Sequence, residues 1–230
     1  MGQRRKFLKW IFLIISFITI IPSFCQDATG SKFNTGADIF SSYIWRGTIY
    51  GRGPAVQPSI EYASGNFTLG AWGSFDFNGY QETDLYFIYS LRSGLEIGLT
   101  DYYFMDLRYF DYSSSSGSHA FELNMRFTRG NFNIQANYIV NKADGAGSAG
   151  GDKYFEAGYV FKSFNLFIGA GDGWHTLNPE MGRGRFNLCN VGIGTTKTII
   201  VTDSFNIPVK GQLVLNPDKE QLSVIIGFSF

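Results

Sequence analysis

The sequence predicts an all-β fold, a single antiparallel up-and-down transmembrane β-barrel of about 12 strands behind a cleaved signal peptide. Three observations predict it. Apolar and polar residues alternate with period two along nearly the whole chain after Gln26, which is the strand signal. The connections between these segments alternate short and long, as in transmembrane barrels. The last segment carries its apolar parity through to Phe230.

Composition removes the other classes. With 23 Phe and 13 Tyr the chain is not disordered. Basic and acidic groups number 19 each, which argues against a nucleic-acid binder and its basic stripe. The one continuous apolar run lies at the N-terminus, so a polytopic helical membrane protein is excluded.

That run is read as the export signal. Arg4, Arg5, Lys6 and Lys9 precede an apolar stretch from Trp10 to Ile21, and Pro22 then breaks it. Ser23 and Cys25 supply the small residues for cleavage between Cys25 and Gln26. A lipidated Cys25 and a retained anchor are the rival readings, the first opposed by bulky Phe24. Cleavage takes four of the 19 basic groups and none of the 19 acidic, leaving 15 against 19, a net −4. It also leaves Cys189 alone, a small packing residue rather than half of a disulfide. The chain thus divides into a signal peptide (1–25), a short periplasmic segment (26–34) and a barrel (35–230).

The strands follow in order at 35–46, 54–63, 66–76, 82–91, 94–104, 118–128, 131–140, 153–161, 164–171, 186–197, 206–215 and 220–230. The first carries ambiguous parity. In the second, Pro58 lacks a donor that a closed barrel needs, so a bulge or broken rung is expected. In the third, Phe67, Leu69, Ala71, Gly73 and Phe75 alternate with Thr68, Gly70, Trp72, Ser74 and Asp76. In the sixth, Phe121, Leu123, Met125 and Phe127 alternate with Glu122, Asn124 and Arg126, and the seventh and twelfth repeat the pattern. Short turns fall at 64–66, 92–93, 129–130 and 162–163; long stretches fall at 47–53, 77–81, 105–117, 141–152 and 172–185. Two connections fit less well: 198–205 is long for a periplasmic turn and 216–219 is short for an outer loop.

Alternation alone leaves a soluble sandwich open, because both folds write the same letters. Lysine placement favours the barrel: of seven lysines after the signal only Lys210 falls mid-strand, whereas soluble sheets use lysine on faces and edges. The polar parity is mostly Gly, Ser, Thr, Asn and Gln. Aromatics near segment ends, among them Trp45, Tyr62, Phe75, Tyr102, Tyr103, Phe127, Tyr138 and Phe161, match interfacial girdles. Phe230 is read as an assembly signal on the terminal strand.

The run Asp38-Ile39-Phe40-Ser41-Ser42-Tyr43-Ile44-Trp45-Arg46-Gly47 resembles the first-strand motif of the TorF-type porin family. Gln57-Pro58-Ser59-Ile60-Glu61-Tyr62, Gly70-Ala71-Trp72-Gly73-Ser74, Glu82-Thr83-Asp84-Leu85-Tyr86 and Gly98-Leu99-Thr100-Asp101-Tyr102-Tyr103 are similar to its later motifs, in order. Asn216-Pro217-Asp218-Lys219-Glu220 resembles the form in Bacteroidetes-type members. The resemblance implies an outer-membrane barrel and supplies neither a substrate nor catalytic residues.

If the apolar parity faces lipid, Gln57, Glu61, Asp84, Glu96, Glu122, Arg126, Glu156 and Lys210 line the lumen, with Arg46 near the outer end of the first strand. A carboxylate-rich wall favours cations. The expected function is a small passive channel for small polar or cationic solutes, in the outer membrane of a Gram-negative-type bacterium. Its expected partners are outer-membrane lipid and lipopolysaccharide, the barrel-assembly machinery and small solutes, with no nucleic acid and no cofactor. The alternative is a closed structural or ligand-binding barrel in which Glu122, Arg126 and their neighbours form a plug.

A minor alternative is an outer-membrane lipid hydrolase, which would need a His–Ser pair. His119 follows Ser113 through Ser116 and Ser118, but a nucleophile needs a base held against a particular serine by a third group, and no His-x-Ser follows His119, whose next residues are Ala120 and Phe121. That serine run reads as a loop tip and His175 as a loop residue. The two histidines have no metal-ligand spacing. Asp144-Gly145-Ala146-Gly147 and Gly150-Gly151-Asp152 are read as solvated turns. No catalytic residue is therefore assigned.

Overall fold

The computed structural model describes residues 32–176 and 184–230. The signal peptide and the Cys25/Gln26 cleavage site lie outside the described residues. Twelve antiparallel strands close one barrel, and two short strands form a separate hairpin. In chain order they are β1 (Phe33–Phe40), β2 (Tyr43–Trp45), β3 (Thr48–Gly51), β4 (Ala55–Ser64), β5 (Phe67–Asp76), β6 (Gln81–Ser90), β7 (Leu95–Phe104), β8 (His119–Arg129), β9 (Phe132–Ile139), β10 (Lys153–Val160), β11 (Asn165–Gly171), β12 (Asn187–Thr202), β13 (Phe205–Asn216) and β14 (Gln221–Ser229). Wall strands pair with their neighbours in sequence, and β1 closes the ring between β14 and β4. Phe230 takes part in the closure: its N–H donates to Ala37 at 3.0 Å and its carbonyl accepts from Ala37 at 3.2 Å.

The wall is apolar outside and polar inside. Outward-facing Leu69 and Val224 are 54% and 78% exposed, whereas Glu122, facing inward, is 1% exposed. This reverses the pattern of a water-soluble domain, whose alternation puts apolar residues in the core. The pleat produces the sorting, since successive side chains point to opposite faces.

Pro58 breaks a rung as expected. The β4–β5 register runs Val56↔Phe75 and resumes at Ser59↔Trp72 without a shift, and Gln57 and Pro58 drop out of that ladder. On its other side Pro58 stays in register with Ala37.

Two expectations are corrected. The first strand ends at Phe40 rather than at 46, because Ser41 and Ser42 turn the chain inward. Residues 43–51 then form the β2–β3 hairpin instead of wall and outer loop. The connection expected at 198–205 is mostly strand: β12 and β13 continue to a turn at Asp203 and Ser204. Their ends project beyond the wall, since β11 pairs with β12 only as far as Gly194 and β14 pairs with β13 only from Val209.

Candidate functional site

The hairpin is the centre of the site. Trp45 pairs with Thr48, leaving a two-residue turn of Arg46 and Gly47. Both have positive φ, +52° and +81°, the requirement of the type I′ hairpin turn. Gly47 is needed for a second reason: a Cβ there would run into the Cys189 carbonyl oxygen of β12.

From this tip Arg46 reaches across the lumen to Glu122 on β8. Nη1 and Nη2 donate to the two carboxylate oxygens at 2.6 and 2.8 Å, the bidentate fork that gives Arg–carboxylate pairs their strength and geometry. Tyr102 Oη donates to the same carboxylate at 3.0 Å and Asn124 Nδ2 at 2.6 Å. The guanidinium lies 4.3 Å from the Trp45 ring centroid and 4.6 Å from that of Tyr154. On the hairpin's other flank Asn216 Nδ2 donates to the Gly47 carbonyl at 3.0 Å, and Lys219 Nζ to Thr48 Oγ1 at 3.1 Å.

Aromatic rings fill the space around the hairpin. Tyr43 packs on Trp72 at 5.5 Å and on Tyr80 at 5.7 Å; Trp45 packs on Tyr102 at 5.5 Å, on Trp174 at 6.2 Å and on His175 at 5.1 Å. The long connections mesh above. Trp174 Nε1 donates to Gly147 at 2.7 Å and Ala146 N–H to Gly117 at 2.9 Å. Tyr102, Ala120, Ile139, Ala143, Ala146 and Trp174 form a buried apolar cluster there. The half of the barrel at the long-connection end is therefore packed like a protein core.

The half at the short-turn end is not. Along the inward face of β8, Ala120 and Glu122 are buried, Asn124 is half-buried, and Arg126 and Thr128 are exposed. The inward faces of β4 and β6 grade in the same direction. Two recesses meet at Arg46: one of about 290 Å³, with Glu156, Asn190 and Gln212 in its wall, and one of about 220 Å³, with Glu96, Arg126 and Asn137.

Each inward residue expected from parity can now be placed. Gln57 donates to Ser74 at 3.2 Å; Glu61 accepts from Tyr86 at 2.6 Å; Glu96 accepts from Ser90 at 3.3 Å. Glu156 accepts from Tyr154 at 2.5 Å and Asn190 at 2.9 Å, and Lys210 pairs with Asp38 at 3.0 Å. Asp84 is buried, and its Oδ1 has no hydrogen-bond partner among the described residues. Arg46 is the exception, standing on the hairpin rather than on the wall. Trp45 and Tyr102, read as girdle aromatics, face the lumen instead. Sequence reasoning missed Glu82, which shares the parity of Asp84 and accepts from Tyr80 at 2.8 Å, and it missed Asp38 as the partner of Lys210.

His175 sits in a short helical turn, Gly173–His175, of the connection over the hairpin. It is buried, and neither ring nitrogen has a partner among the described residues. Burial, with the Arg46 and Lys219 charges nearby, holds its pKa well below the ordinary histidine range. Burial also lowers Lys219.

His119 lies on the outward parity at the rim. Its Nδ1 faces Asp101 at 2.9 Å and its Nε2 contacts the Tyr109 carbonyl. Ser118 Oγ donates to the Arg108 and Asp111 carbonyls, at 2.6 and 3.1 Å. The Ser113 and Ser116 hydroxyls donate to Asp111, at 2.7 and 2.8 Å, and with the Ser113 N–H they hold its carboxyl below the usual range. The serines thus order the loop, and neither nitrogen of His119 meets a serine hydroxyl. Cys189 is buried and free. Among the described residues no three His, Cys, Asp or Glu side chains converge as metal ligands.

No family model and no curated protein matches the chain. Solved structures with some likeness include two named as porins and the Pseudomonas aeruginosa OprD. A mutant of the Rh. blastica porin has a TM-score of 0.38 at 10% identity, covering 76% of this chain and 55% of its own. The Pseudomonas aeruginosa OprD has 0.35 at 11%, covering 89% and 68%. A BenF-like porin from Pseudomonas fluorescens has 0.35 at 10%, covering 89% and 60%. This chain spans roughly half to two thirds of their lengths. Likeness at that level identifies no relative, and the reading rests on this chain's own residues.

Proposed function

We propose that this protein is a non-enzymatic outer-membrane barrel, of the kind the TorF-type motifs suggest, that admits small polar or cationic solutes through a lumen its own hairpin closes. The apolar exterior supports the membrane setting, because an all-round outward apolar face is stable only against hydrocarbon. A closed ring of strands satisfies its backbone there. The export signal and the short turns at one end support the outer membrane of a Gram-negative-type bacterium.

One observation carries the channel reading: the inward face goes from buried to exposed along β8 and from buried to half-buried along β4 and β6, and its more open half carries Glu61, Ser90, Asn124, Arg126 and Thr128. A wall built only to be packed would have no reason to stay polar and open at one end. The hairpin is the closing element because it is anchored at both ends and fills the lumen between them, tied to the wall by the Arg46–Glu122 fork and by the packing of Tyr43 and Trp45. The packed outer half favours the second reading, a closed barrel without conductance.

Planar bilayers separate the two. The expected result is little conductance from the wild type and stable conductance once residues 43–51 are replaced by a short Gly-Ser link. Folded protein silent in both forms would sink the channel reading and leave the closed barrel.

A further inference from the structure

A second site lies on the outside of the wall and rests on the outer-membrane reading above. Register sets small side chains among large ones there. Met125, Ala136, Phe155, Ala170 and Leu188 form one row across β8 to β12, and Ala157 stands between Ile134 and Ile168 in the row below. Where an alanine falls between two large neighbours the surface sinks. Three adjoining apolar grooves result, of about 350, 580 and 470 Å³. The first and second share Met125, Ala136 and Phe155; the second and third share Ala157 and Ile168. Together they descend from Tyr138 and Lys153 near the long-connection end to Phe132 and Tyr159 near the short-turn end.

The upper end is basic. Lys153 lines the first groove, paired in register with Tyr138. It is exposed, faces outward, and makes no ion pair among the described residues. The Asp172 carboxylate accepts its backbone N–H at 2.6 Å, not its ammonium. Exposed Arg185 precedes Phe186, whose ring lies 6.0 Å from that of Phe155. A lysine at the top of an apolar groove suits an amphiphile with an anionic head, and grooves lying side by side suit more than one chain.

We infer that the grooves below Lys153 bind a phosphorylated, multi-acyl lipid of the lipid A type, its chains on the alanine-lined surface and its phosphate at Lys153. The end matters to the source: long connections mark the outer face, and lipid A is the phosphorylated multi-acyl lipid of that leaflet.

Native mass spectrometry of folded, detergent-released protein tests this with three probes: lipid A, dephosphorylated lipid A and phosphatidylglycerol. Wild type should retain one lipid A in preference to the other two. Lys153→Glu should weaken retention at least about fivefold, the factor for the ~1 kcal/mol of one lost lysine, and Lys153→Arg should retain it. Ala157→Phe, which fills the middle groove, should also weaken it, and the lysine variants keep the test valid if that variant folds poorly. Equal retention by wild type and Lys153→Glu, or of dephosphorylated lipid, would overturn the site. Phosphatidylglycerol held as tightly would overturn lipid A as its ligand. Failure of the wild type to fold into phospholipid vesicles would instead overturn the outer-membrane reading, and this site with it.

Discussion

The hairpin is held to the wall by the Arg46–Glu122 pair. Both side chains are nearly out of water, 9% and 1% exposed. Removing one partner strands the other charge, a loss of about 3–5 kcal/mol for buried pairs. Arg46→Ala should therefore destabilise the folded barrel by that order in urea unfolding. The Arg46→Ala/Glu122→Ala double variant should lose less than the two single changes summed, because residues in contact couple; additive losses would mean that the pair contributes nothing jointly. Gly47→Ala is expected to cost at least ~1–3 kcal/mol from the positive φ alone, before the Cys189 carbonyl is displaced. His175 adds a pH dependence. Its pKa is depressed in the folded protein, so below about 6.5 the unfolded chain takes up a proton that the folded chain refuses. Stability from this group is complete above that pH and is lost as pH falls. Melting temperature should drop between pH 7.5 and 5 more for wild type than for His175→Phe, with Arg46, Lys219 and Tyr154 as the groups facing the ring. Parallel slopes would clear His175 of the effect.

At the scale of elements, the wall was legible because period two survives any tertiary context: the sequence-derived bounds for β4 to β11 fall within one residue of those observed. The hairpin was not legible, for a physical reason. Tyr43-Ile44-Trp45 continues the apolar, extended pattern of β1, and only Ser41 and Ser42 mark the break. Its signal lay in Arg46-Gly47, two residues between short β-prone runs, but arginine is not a residue expected at positive φ. The same blindness hid the role of Trp45, whereas Tyr102 shares the inward parity of Glu96 on β7 and was misread from its place near the strand end alone. For wall residues such as Glu61, Glu96, Arg126 and Glu156 a strand's parity alone sets the face they point to. Beyond Gly194 and before Val209, β12 and β13 have only each other as strand neighbours, and a lone two-stranded ribbon adds little stability. Excising residues 198–206 and rejoining with a tight turn should leave the melting temperature within a few degrees, whereas a large fall would show that the projection braces the wall.

For the molecule as a whole, an apolar outside and a polar inside make charge selection a property of the lumen alone. Arg46 neutralises Glu122 and Lys210 neutralises Asp38, which leaves Glu61, Glu96 and Glu156 on the open part of the inward face against Arg126. Any path past a displaced hairpin is therefore walled by excess negative charge, and narrow low-dielectric walls strengthen its effect on passing ions. Once the hairpin is removed, current across a salt gradient should show a reversal potential favouring cations. Glu96→Gln with Glu156→Gln in that background should move it toward zero, and Arg126→Glu should move it the other way. The two glutamates suit the test because neither pairs with the hairpin, so closure and selectivity are probed by different residues. The shifts should shrink in high salt, where the Debye length falls to about 3 Å at 1 M. A reversal potential unmoved by either change would place these side chains off the conducting path even if the channel itself conducts.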